Sequence, residues 1–139
     1  MKKYVVSVSA VVLLLCFSPD LWASEQDSID ALEAQCAEFS QQEREICKEN
    51  VLKMWGVEVN KAYKAYMAVL NQKERDLLRG AQIAWMKFRA AEINLVKSVV
   101  RAQQGSISKD LAMEYLISID RNRALALRAF QQGLGGEGR

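Results

Sequence analysis

The chain predicts an all-α fold: a small antiparallel helical bundle, a short first helix followed by three longer ones, held by one disulfide. Three observations predict it. Apolar residues recur at three- and four-residue spacing in every long segment, and none keeps a strand alternation for long. A single proline and seven glycines, four of them between Gly133 and Gly138, argue against a turn-rich β protein. Helix-start signals also stand between the apolar segments. The length, 139 residues, fits one domain.

The first 23 residues read as a leader outside the bundle. Lys2 and Lys3 precede an apolar run from Tyr4 to Phe17, Pro19 breaks it, and Leu21-Trp22-Ala23 ends on a small residue. This is the pattern of an export signal, with a mature chain from Ser24 in the periplasm or outside the cell. The run is too short for a comfortable membrane span, so no membrane attachment is expected after cleavage. Leu15, before Cys16, is too large for a lipid-attachment site. The mature chain keeps Cys36 and Cys47, which in an oxidising compartment read as one disulfide rather than two free thiols. The chain has no histidine. Two thiolates without histidine are a poor zinc set, and the usual general base is missing, so no metal or cofactor is expected.

Each helix follows from local pattern. Ser24 to Phe39 places Ile29, Leu32, Cys36 and Phe39 on one face. Ser40-Gln41-Gln42-Glu43 is a capping box opening the second helix, which runs to about Leu70. Its expected core face is Leu52, Trp55, Val59, Ala62, Tyr63, Tyr66 and Leu70, and Gly56 marks a close crossing or a bend. Asn71-Gln72-Lys73-Glu74 is a second cap, so the connection is minimal and the two helices are antiparallel neighbours. The third helix ends near Gln103. Its expected buried stripe is Leu77, Ala81, Ala84, Phe88, Leu95 and Val99. Gly105 stops it, and a serine cap at Ser108 starts the last helix, Lys109 to Gln131. That helix is expected to bury Leu111, Tyr115, Leu116, Ile119, Ala126 and Phe130. The domain spans 24–131, and the glycine-rich residues 132–139 read as a disordered tail.

Charge divides along the chain. From Ser24 to Asn60, nine acids face three bases, while the second half is basic by about two to one. Opposite halves folded together neutralise each other; alternatively, the acidic side meets a basic partner. Nucleophile arrangements fail, because Ser106 and Ser108 have no histidine to activate them. The carboxylates lie on polar helix faces, and the aromatics lie at core spacing, which excludes a nucleic-acid platform.

Beside the apolar stripe of the third helix lies a second one: Gln82, Trp85, Arg89 and Glu92. It reads either as a recognition surface, rich in the residue types that carry interface energy, or as a bonded network at the core edge. In the second reading Arg89 meets Glu92 or an acid on a neighbouring helix. Arg123 poses the same question, and either snorkels outward or meets Glu92.

Ala81-Gln82-Ile83-Ala84-Trp85-Met86-Lys87-Phe88-Arg89 resembles the "A-Q-x-x-W-x-x-[YF]-R" signature of the LprI-like lysozyme-inhibitor domain. Asn60 and Tyr63, in Val59-Asn60-Lys61-Ala62-Tyr63, resemble its "L-N-x-x-Y" motif. Gly105-Ser106-Ile107 resembles its "G-G-S-[IM]" loop with Gln104 for the first glycine. Arg123 with Leu127 resembles its closing "R-x-x-x-L", and Cys36 and Cys47 match its first cysteine pair. The second pair carried by many members is replaced here by Ile93 and Tyr115, an expected exchange for apolar packing. The resemblance implies a small helical exported protein, not an enzyme, that binds a protein partner: lysozyme or another cell-wall hydrolase. Lysozymes are usually basic with an acidic catalytic cleft, so acids such as Glu43 and Glu45 would steer and the Gly105–Ser106 loop would block. The alternative is an envelope accessory or immunity-type protein with one cognate partner.

Overall fold

The computed structural model describes residues 19–103 and 106–136. They form four helices: α1 (Pro19–Cys36), α2 (Gln41–Val69), α3 (Gln72–Gln103) and α4 (Ser106–Gly136). The apolar part of the leader and Gly105 lie outside the described residues. α1 begins at Pro19, earlier than Ser24, with proline in the first turn where its missing N–H costs nothing. It ends at Cys36, so Phe39 falls in the corner before α2 and is exposed. α4 runs past the expected end through Gly133 to Gly136, since adding residues to an existing helix needs no new nucleus.

Both caps form. The Glu43 carboxylate accepts from the Ser40 backbone N–H at 3.2 Å and from its hydroxyl at 2.5 Å. Asn71 Oδ1 accepts from the Glu74 N–H at 3.0 Å while Glu74 accepts from the Asn71 N–H at 3.0 Å. These reciprocal bonds satisfy amides that the helix ends leave without partners.

Successive helices run antiparallel, yet the most extensively packed pair is α2 with α4, which run parallel. Their ion pairs climb in step: Arg44 with Asp110 at 3.1 Å, Lys48 with Glu114 at 2.8 Å, then Glu58 with Arg128. The core lies between them and α1. Trp55, Val51, Val59 and Ala62 of α2 meet Ile117, Ala124 and Leu127 of α4, with Ile29 and Cys36 sealing from α1. Each large side chain among these stabilises by about 1.5–3 kcal/mol relative to exposure. The Cys36–Cys47 disulfide, with Cα atoms 5.6 Å apart, pins α1 to the start of α2.

Two expected faces are corrected. On α3, the stripe from Leu77 to Val99 does not enter the core: Leu77, Ala81, Ala84, Phe88, Leu95 and Val99 are all exposed. The inward face is Leu78 and Gln82, with Trp85, Arg89 and Glu92 half-buried beside them. On α4, Leu111, Tyr115, Ala126 and Phe130 are exposed, and the inner seam is Ile117, Asp120, Ala124 and Leu127. The reason is the same in both helices. Asp120 and Arg128 are buried with charged partners, Arg128 with Glu58 of α2 and Asp120 with Arg89, for which α3 turns its polar shoulder inward. A burial pattern that assumes charges face outward rotates both helices the wrong way.

Candidate protein-binding site

The polar residues of the sequence signature on α3 and α4 turn towards the bundle and are bonded there. Arg89 grips Asp120 with two prongs, Nε to Oδ1 at 2.5 Å and Nη2 to Oδ2 at 2.7 Å. The Asp120 carboxylate raises the Arg89 pKa above its ordinary value, against the opposing effect of burial. Arg123 donates twice to Gln82 Oε1, at 3.0 and 2.8 Å, and lies 5.8 Å over the Trp85 ring. Burial lowers the Arg123 pKa. Glu92 instead accepts from the Tyr115 hydroxyl at 2.7 Å, so the position of the missing cysteine holds a hydrogen bond, not apolar packing. Tyr63 packs against the core, and Asn60 lines a cleft of about 490 Å³ between α2 and α3 with Gln82, Trp85 and Arg89. Ile93 lines the same cleft. Asp120 was not among the expected site residues. Its signal is a lone acid spaced three after Ile117 and four before Ala124, inside an apolar seam.

Of the expected partner contacts, Glu43 and Glu45 lie elsewhere, in the first turns of α2 at the end of the bundle where the disulfide sits. The first turns of α2, the end of α3 and the start of α4 meet there, as the Arg44–Asp110 and Glu45–Lys109 contacts at 3.1 and 3.7 Å establish. Between them is a groove of about 360 Å³ with Val96, Val100, Met113 and Leu116 inside and Glu45, Glu49, Lys97 and Lys109 around it. On the other side of α2, Phe39, Ile46 and Glu43 line a shallower groove of about 350 Å³ over Cys47. Glu43 is exposed, and its bonds from Ser40 hold its pKa below the usual value. α4 begins at Ser106, while Gly105 lies outside the described residues. Phe39 and Ile46, exposed here, were missed because they share the spacing of core residues.

Electrostatics differ across this end. Arg121 bonds Asp30 at 2.9 and 2.8 Å and lowers its pKa. Glu33, next to it, is raised by burial and then by the charge of Asp30. Glu38 and Glu49 are exposed and join no ion pair among the described residues. Among the described residues there is also no cluster of metal-ligating side chains and no helix long and apolar enough to cross a membrane.

No curated protein and no solved structure matches the chain. A family model does, the one described as "Lysozyme inhibitor LprI", over residues 31–127. That span runs from the middle of α1 through the disulfide and the Arg89–Asp120 pair to Leu127 on α4, and the chain therefore belongs to the LprI lysozyme-inhibitor family.

Proposed function

We propose that this chain is an exported, non-enzymatic inhibitor of a lysozyme-type cell-wall hydrolase, and that it engages the enzyme with the disulfide end of its bundle. The observation that carries the reading is the family match over residues 31–127. Three features support this end as the contact. Phe39 and Ile46 offer exposed apolar anchors on a corner that the disulfide stiffens, which lowers the entropy lost on binding. Glu38 and Glu43 beside them, with Glu49 over the other groove of α2, add negative charge that steers a basic enzyme. The segment proposed to enter a cleft is that of Gly105 and Ser106, which leads into α4. The signature residues Gln82, Trp85, Arg89 and Arg123 hold the helices in register for that surface.

The test is inhibition of cell-wall lysis by the purified mature chain, across a panel of lysozymes and related hydrolases. Stoichiometric inhibition of at least one enzyme is expected, weakened by Phe39→Ala and by the double charge reversal Glu38→Lys, Glu49→Lys. Absence of inhibition across the panel overturns the reading.

A further inference from the structure

The outer face of α3 carries apolar side chains that nothing among the described residues covers. Leu77, Phe88 and Leu95 are 68%, 47% and 56% exposed. From Leu77 to Ala102 this face repeats by four and three residues without a break, the rhythm of a two-helix seam, and alanines fill most positions between the large residues. Gly80 sits inside this helix although a Cβ there would meet open space. Glycine weakens a helix interior, and no neighbour within the chain requires it.

We propose that α3 pairs antiparallel with α3 of a second copy of this chain, about a twofold axis between Arg89 and Ala90. In that register every large residue of the seam stands opposite a small one: Phe88 opposite Ala91, Leu95 opposite Ala84, Leu77 opposite Ala102. Ala81 meets Ser98. Such layers interdigitate, whereas a parallel pair stacks Phe88 on Phe88 and leaves the alanine layers loose. Arg101 of one copy lies across from Gly80 of the other. The absent side chain opens its path to Asp76, one turn away, and both charged residues are exposed. The twofold axis repeats this opposite-charge contact at the far end of the seam. A single helix face of this length buries on the order of 1,000 Å² in all, the lower bound for a specific interface, which fits a weak dimer. Phe88, at the middle of the seam, lines neither groove at the disulfide end, so its replacement tests pairing separately from inhibition.

The test is sedimentation of the full mature chain over micromolar to millimolar concentrations. A concentration-dependent dimer is expected. Phe88→Glu should weaken it at least tenfold with helicity retained, because Phe88 makes no core contact; Ala84→Lys serves as a second variant on the same face. Asp76→Arg and Arg101→Asp should each weaken it by roughly threefold to tenfold, and the two together should restore it. A chain that stays monomeric at millimolar concentration overturns the proposal. So does a dimer that Phe88→Glu leaves intact, or one in which the doubly reversed variant binds no better than the single ones, since parallel helices place Asp76 and Arg101 far apart.

Discussion

Arg89 on α3 and Asp120 on α4 form a two-pronged ion pair in which the carboxylate has no solvent exposure at all. Arg89 is about one-third exposed, so the pair is a plug: charge enters the core from one helix and is capped from the next. The neighbouring bonds of Arg123 to Gln82 and of Tyr115 to Glu92 extend the same seam. α3 is thus fixed to the bundle chiefly by polar groups with few alternative arrangements, which specifies its rotation more narrowly than apolar contacts do.

Removing one partner exposes the imbalance. Arg89→Ala leaves Asp120 buried without its counter-charge and is expected to cost about 3 kcal/mol, read from the urea midpoint at constant slope. Arg89→Lys keeps the charge but loses the fork, and should fall between the two. Equal stability of all three proteins would contradict a paired Asp120.

The disulfide closes a short loop, with Cys36 and Cys47 separated by 11 positions. Replacing both with serine should destabilise by about 2–3 kcal/mol on the chain-entropy account. The loss should concentrate in α1, whose amides should exchange faster than those of α2 and α4 by hydrogen-exchange measurement.

Asp30 and Glu33 predict opposite pH effects within one turn of α1. Asp30 has a lowered pKa in the folded chain, so its contribution is present at neutral pH and lost as pH falls through that folded value, below 3.8. Asp30→Asn should therefore destabilise at pH 7, with the difference fading in acid. Glu33 has a raised pKa, so its charged form is disfavoured on folding and the penalty lifts as pH falls through the folded value towards 4.5. Glu33→Gln should stabilise at pH 7 and converge with the parent protein below that window. Thermal melts of both variants between pH 3 and pH 7 check the signs.

Gly56 stands where α2 meets Asp120, and a Cβ there would lie 3.7 Å from Asp120 Oδ2, ordinary contact. α2 continues through it without a break. Gly56→Ala is expected to be tolerated and to stabilise by up to about 1 kcal/mol through helix propensity. A loss of stability would show that the crossing needs the open space.

Much of the fold was legible along the chain. Capping signals at Ser40 and Asn71 set helix starts because a cap bonds its own backbone within three residues. The core face of α2 followed from apolar spacing, since Trp55, Val59 and Ala62 lie on it even though Glu58 is buried beside them. The disulfide followed from the two cysteines that remain once the first 23 residues are read as a leader. The faces of α3 and α4 did not follow, because Asp120 and Arg128 are buried by partners more than thirty residues away. Among the expected contacts, Glu43 and Glu45 could be seen as acids on a polar face, but the meeting of Glu45 with Lys109 at the start of α4 depended on α2 and α4 lying parallel.

The sequence by itself therefore determined the helices, their order, the staple and the family. These rest on local hydrogen bonds, short-range periodicity and residue types, which act within a few positions of the chain. Tertiary structure alone decided which way α3 and α4 turn. A charge is kept out of a core only until a counter-charge at the right distance makes burial affordable, and that distance exists only once the helices pack. The same choice left the apolar stripe from Leu77 to Leu95 on the outside, open to a second chain.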